Sequence, residues 1–430
     1  MKFSIAVAAV GLLLTGGAAS AQTQGYRPER PYRGIFGSGV DNSTHSLTGN
    51  ATLSGGYDDD ILADATGQNR PVSGQQGVLA QLSGGLNYTL SLPRASLNAG
   101  VGSSVRYYPS LDDEKYFESY GAGIGLGIRI LDKPQVSFNA GANYHPVTFL
   151  SAFPALADTP AVDFPEPDYV PVESQYVSYN AGLSVSQPLS RRVSLSTSAA
   201  YRATNRLEDE FWSQSASAGL RVQMTRDVGL RVGYSFAEGH YEDRPTVQTH
   251  RPDIGVDFAR ALSLTRRTSL SFGVGTDAVV ANDRTRVRAS GNASVTHEIG
   301  RSWFARGAFQ RGITFVETLS EPIFSDAFQV SLAGLVTRRV QFTSIGSASI
   351  GRGASSSGQF DSYRGSAGLS VALTRYMNTG VDYIYYKYVT DSRIELQAGI
   401  PGAINRQSIR GHVSLWVPIL NRPRRANASR

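Results

Sequence analysis

The chain has 430 residues, no cysteine, 41 Lys+Arg against 35 Asp+Glu, and 41 % hydrophobic residues. The lack of cysteine excludes thiolate metal sites and cysteine nucleophiles. The mild, dispersed basic excess leaves no clustered footprint of nucleic-acid binding. So low a hydrophobic content is thin for a globule of this length, but it suits a sheet that is apolar on one face only.

Residues 1–21 open with Lys2, continue through the apolar run IAVAAVGLLL and end on Ala19-Ser20-Ala21. That is the layout of a secretory signal peptide cleaved after Ala21. The run is too short for a membrane-spanning helix, which needs about 20 residues. Residues 22–45 read as a polar periplasmic lead-in, 46–419 as the folded body and 420–430 as a basic tail.

In the body, GVLAQLSGGLNYTL (77–90) alternates apolar and small or polar residues with period 2, the mark of a strand. The same rhythm predicts strands at 46–58, 77–90, 95–108, 118–130, 135–144, 174–187, 193–202, 211–224 and 228–236. It continues at 251–262, 268–280, 285–297, 302–311, 326–336, 340–351, 362–373, 378–389 and 406–418. Their length matches the roughly 9–11 residues that a tilted strand needs to cross a bilayer. Tight turns such as SLPR (91–94), PLSRR (188–192), TRRV (337–340) and TRYM (374–377) alternate with longer polar connections. Since hydrocarbon offers a peptide group no hydrogen bond, only helices or closed sheets cross it. The predicted fold is therefore all-β: a transmembrane antiparallel up-and-down β-barrel of about 18 strands, with both termini and the short turns on the periplasmic side.

Tyr57, Tyr107, Tyr120, Tyr144, Tyr179, Tyr201, Trp212, Tyr234 and Tyr383 fall in the outward phase near the outer ends of their strands, as an interfacial aromatic girdle would. The opposite phase is rich in Gly, Ser, Thr and Asn. It also carries Arg106, Arg129, Arg202, Arg221, Arg231, Arg286, Arg288, Arg306, Arg364 and Arg410. Inward carboxylates are few by this reading, Asp257 and Asp382 being the clear ones. A lumen lined by arginine favours anions; the bland alternative is a set of solvated or carboxylate-paired side chains. The proline-rich connection 145–173 either folds into the lumen or forms a surface flap.

No catalytic or metal signature emerges. The six histidines show no HExxH spacing. His412 lies near Ser414 with no orienting acid in view. His240 and His250 read as residues of a solvated loop, and Asp58-Asp59-Asp60 as a charged rim without the spaced ligands of a calcium loop. Neither a cofactor nor a metal is expected.

The stretches LTGNATLSGGYDDDILAD, SLTRRTSLSFGVG, SWFARGAFQRGITFVETLSEPIFSDAFQVSLAGLVTRRVQFTSIGSASIGRG and RQSIRGHVSLWVPIL resemble bacterial outer-membrane β-barrel proteins of the β-barrel porin type. The resemblance covers most of the chain after residue 21 and rests on strand-and-turn patterns. It implies an outer-membrane protein of a Gram-negative-type bacterium. The implied partners are outer-membrane lipid, the barrel assembly machinery, and small solutes or acidic saccharides, with homo-oligomerisation open. Many such barrels end on a terminal aromatic; here Trp416 and Ile419 close the last predicted strand and eleven residues follow. Three readings stand: a porin-like channel for passive diffusion of small or anionic solutes, an outer-membrane component of exopolysaccharide or capsule export, and a structural barrel with an occluded lumen.

Overall fold

The computed structural model describes residues 35–37, 43–59, 76–110, 115–130, 134–145, 176–206, 210–225, 228–241, 246–258, 268–281, 284–315, 321–353, 358–394 and 402–423. The strands are β1 (Ser43–Asp58), β2 (Gly77–Ser91), β3 (Ala95–Tyr107), β4 (Tyr116–Arg129), β5 (Gln135–His145) and β6 (Tyr176–Pro188). Next come β7 (Val193–Arg206), β8 (Glu210–Gln223), β9 (Val228–Tyr241), β10 (Val247–Phe258), β11 (Thr268–Ala281) and β12 (Arg284–Ile299). The last six are β13 (Trp303–Thr314), β14 (Ile323–Leu335), β15 (Val340–Gly353), β16 (Gln359–Ala372), β17 (Met377–Thr390) and β18 (Ala403–Pro423).

Each strand pairs antiparallel with its chain neighbours, and β18 pairs with β1, so the sheet closes into an 18-stranded barrel. Closure removes the free edge that an open sheet would expose. All eighteen predicted strands are present, with shifted ends. β10 starts at Val247 because its ladder to β9 continues through Val247↔Gly239. β1 reaches back to Ser43, inside the expected lead-in. β18 carries Leu420 to Pro423 along β1, where a tail was expected; Leu420 pairs with Leu47 and Pro423 with Ser43.

Alternation sets the two faces. Leu53, Val78, Leu82, Val101, Ile254, Val274, Val330 and Val381 are each at least half exposed. They form an apolar belt around the outside, far larger than the patches a water-soluble monomer leaves bare. At the short-turn end, four connections repeat one pattern: Leu189-Ser190-Arg191, Met224-Thr225-Arg226, Val336-Thr337-Arg338 and Leu373-Thr374-Arg375. In each, the strand residue that follows accepts two backbone N–H groups, as Val193 does from Leu189 and Ser190. In two of them the turn hydroxyl accepts a pair of N–H groups as well: Ser190 Oγ from Arg192 and Val193, and Thr337 Oγ1 from Arg339 and Val340.

Candidate functional site

The lumen is built from the phase opposite the belt. Over β1–β8 that phase is small and polar, and its side chains meet across the ladder. Ser104 and Ser119 hydroxyls lie 2.6 Å apart and Thr52 and Ser414 2.8 Å apart, while Ser137 bonds Ser184 and Ser198 bonds Ser217. Asparagines follow a second rule. Asn50, Asn87, Asn139, Asn143, Asn180 and Asn292 each stand opposite a glycine in register, namely Gly85, Gly100, Gly182, Gly121, Gly141 and Gly273. Each amide lies so flat across its partner that a Cβ on the glycine would come within 2.7–2.9 Å of the Oδ1. Glycine thus lets the wall stay thin. The glycines and asparagines of β1–β6, with Ala122, Ala140 and other residues, line a broad open recess of about 620 Å³.

Most inward charge lies on β8–β18, with Asp58 at the end of β1. Arg221 and Arg231 are direct cross-strand neighbours on β8 and β9, an arrangement that costs stability between like charges. Arg231 lies 3.5 Å from Asp253. Arg251 grips Asp277 in a bidentate pair, with Nη2 to Oδ2 at 2.8 Å. Arg406 donates from Nε and Nη2 to Asp58 at 2.8 and 2.7 Å, and Arg410 stands 3.9 Å from the same carboxylate. Asp58 is fully buried and both arginines are 4 % exposed.

Of the other arginines expected in the lumen, Arg106 donates to Gln81 and to the Tyr108 hydroxyl, both at 3.3 Å. The Arg288 guanidinium lies over the Phe324 ring, 4.8 Å from its centre. Arg129 is exposed at the last position of β4; Arg202 and Arg286 are exposed near the outer ends of β7 and β12. Arg306 faces Thr296 and Ser331, and Arg364 faces Ser347 and Tyr386.

Near the outer mouth the inward phase turns bulky, which the alternation did not foretell. Phe360, Ile384, Tyr386, Tyr388, Ile394 and Ile404 are all buried. One hairpin also leaves the wall. The β12–β13 ladder stops at Gly291↔Arg311, although both strands continue. Beyond that point Ile313 N–H donates to Asp277 Oδ2 at 3.2 Å, on β11, so the end of β13 passes in front of β12 on the lumen side. Ile313 and Phe315 pack against Val247 and Val279 of β10 and β11, and the Phe315 ring covers Gly239 of β9. The outer end of the β13–β14 hairpin therefore narrows the lumen. The connection 145–173, expected either inside or outside, lies beyond the described residues except for His145.

Several expectations are corrected. Inward carboxylates include Asp58, Asp253 and Asp277, each holding an arginine. Arg251 and Arg406 belong to the lumen and were overlooked, because β10 and β18 were expected to begin at those residues, leaving no strand before them to fix their phase. His412 does have an acid: its Nδ1 lies 3.0 Å from Asp382 Oδ2. Ser414 is turned to Thr52 instead. His240 and His250 stand on β9 and β10, not in a loop; His240 stacks on Trp212 and His250 bonds the Tyr234 hydroxyl at 2.7 Å. Asp58 is a luminal ion-pair residue and Asp59 accepts the Gln407 N–H at 2.6 Å; Asp60 is outside the described residues.

On the outer surface, Tyr57, Tyr120, Tyr179, Tyr201, Tyr234 and Tyr383 are 40–50 % exposed; the first four lie toward the outer ends of their strands, whereas Tyr234 and Tyr383 sit at mid-strand, short of the expected rim. Tyr107 stacks on Tyr116, Tyr144 sits 5.9 Å from Tyr120, and Trp212 lies in the same phase. Beyond the strands, Arg393 donates to the Asp391 carboxylate and holds it below the usual carboxylate range.

No family model matches the chain, and no curated protein does. Among solved structures it is similar to OpdQ of Pseudomonas aeruginosa, at 10 % identity over 87 % of this chain and 98 % of that one, with a TM-score of 0.46. OccK2 (OpdF) of the same organism, solved with glucuronate, gives 10 % identity, 90 % and 100 % coverage, and 0.46. The siderophore receptor PirA, also from that organism, gives 10 % identity, 86 % and 80 % coverage, and 0.45. These neighbours are outer-membrane β-barrel proteins.

Proposed function

We propose that the chain is an outer-membrane channel through which small solutes diffuse, with a wall suited to anionic, hydroxyl-bearing ones such as acidic saccharides. The observation that carries this reading is the contrast of the two faces. An apolar belt meets lipid, with the outward Tyr and Trp residues as its interfacial girdle, while the inward face of β1–β8 is thin and polar. No other described residue takes a hydrogen bond from or gives one to the side-chain amides of Asn50, Asn139, Asn143 and Asn180, which leaves them for hydroxyl groups. Across from them, arginines outnumber carboxylates in the inward phase, and Arg221 is kept beside Arg231 at a cost in stability. Acidic outer connections act against anion entry, but salt confines their reach to about 8 Å.

Reversal potentials across a planar bilayer under a salt gradient test the selectivity. Arg221→Glu with Arg231→Glu is expected to move the reversal potential toward cation preference. An unchanged value would remove these arginines from the conduction path.

A second reading has one observation in its favour. The infolded β13–β14 hairpin and the buried cluster at the outer mouth narrow the lumen, as an occluded barrel or an export component working through partners would require. Steady conductance from the purified protein separates the two.

A further inference from the structure

The short-turn end of the barrel carries a repeated pairing that the channel reading leaves unused. Leu92 and Arg94, Leu189 and Arg191, Met224 and Arg226, Ile299 and Arg301, Val336 and Arg338, and Leu373 and Arg375 all share one spacing, an aliphatic residue followed two positions later by arginine. The aliphatic member is always the last outward residue of the belt and is 43–60 % exposed. In five of the six, backbone N–H groups of the turn bond the returning strand, and the chain reverses at once; Arg94, Arg191, Arg301, Arg338 and Arg375 thus lie just past the apolar edge, while Arg226 is outside the described residues.

The guanidinium groups of Arg94, Arg191, Arg301 and Arg338 make no ion pair or hydrogen bond with other described residues, and all four are exposed. Arg375 lies against the Tyr376 ring, 4.6 Å from its centre. Charge is divided sharply between the two ends. The eight short connections between β2 and β17 carry twelve Lys and Arg against two Asp and Glu, whereas the nine connections at the other end carry four against twenty.

We infer that these turns form a ring of phosphate-binding sites for anionic phospholipid headgroups of the leaflet that faces the periplasm. Each aliphatic residue sits among acyl chains, and the arginine two residues on meets the phosphate at the depth where that phosphate lies. The planar guanidinium fork suits a phosphate better than an ammonium does. A merely solvated rim has no need of an exposed aliphatic residue at fixed spacing from each arginine. The inference rests on the membrane reading above.

The test uses the full chain reconstituted into phosphatidylcholine vesicles, with and without a fifth of phosphatidylglycerol, and native mass spectrometry of the lipids retained after extraction. Phosphatidylglycerol is expected to be retained in preference to phosphatidylcholine. The variant Arg191→Gln, Arg338→Gln, Arg375→Gln is expected to lose that preference about fivefold or more. Arg393→Gln, at the opposite end, is expected to leave it unchanged. Raising salt on the unaltered protein removes the preference if it is electrostatic, a readout that needs no variant to fold. Equal retention of both lipids, or a preference that survives the triple variant, overturns the inference while the membrane reading stands. Failure to insert into either bilayer overturns both.

Discussion

Replacing Asp58 with alanine is expected to cost the barrel about 3–5 kcal/mol, the loss that follows when one member of a buried ion pair is removed and the other is left uncompensated. Asp58 closes the last strand onto the first: it sits at the end of β1 and holds Arg406 by two hydrogen bonds, with Arg410 beside it on β18. The β1–β18 seam is the one strand pair not joined by a connecting loop, so it is held by its ladder and side chains and not by the chain. Urea unfolding in detergent micelles, followed by tryptophan fluorescence, reads the loss. Changing Asp58→Asn with Arg406→Met is expected to recover only part of it, because Arg410 stays charged and buried beside the site. If alanine at 58 alone unfolds like the unaltered protein, the seam does not depend on this carboxylate.

The second large effect concerns the lumen. Asp277→Ala is expected to raise single-channel conductance by a factor of a few. Asp277 is 1 % exposed and holds two things at once: the Arg251 guanidinium and the Ile313 N–H of the infolded hairpin. Hydrogen bonds to a charged group contribute about 1.5–3 kcal/mol each. Losing the Ile313 bond leaves the hairpin end held by the packing of Ile313 and Phe315 on Val247, Val279 and Gly239. Released, it swings toward the wall and widens the lumen at that level. Conductance equal to that of the unaltered protein would mean that the hairpin does not limit the current.

Much of the architecture was legible in the sequence because its signal is local. Period-2 alternation in a stretch such as Gly77–Leu90 fixes strand and face together, and SRR or TRR turns mark where the chain reverses. The outward tyrosines followed from the same parity. What was hidden depends on pairs distant in the chain. Asp58 meets Arg406 across 348 residues, and nothing in the neighbourhood of DDD announces a buried ion pair rather than a charged rim. Asp277 and Arg251 sit on adjacent strands, yet β10 was expected to open at Arg251 itself, with no alternation before it to fix its face. The infolding of β13 was hidden too: the strand was expected to end at 311, where its ladder to β12 does stop, but nothing in the sequence shows that the chain runs on in front of β12. The Asn–Gly pairing is visible once the register is known: asparagine on one strand, glycine opposite.

The claim beneath all of this is that one face of every strand meets lipid and the other meets water inside a closed sheet. The chain has no native cysteine, so single cysteines along β2 report each position cleanly in reconstituted vesicles. A charged, membrane-impermeant thiol reagent is expected to label positions 81, 83, 85 and 87, which face the lumen, and to spare 82, 84, 86 and 88, which face hydrocarbon. Labelling without alternation, or alternation in the opposite phase, would contradict the account.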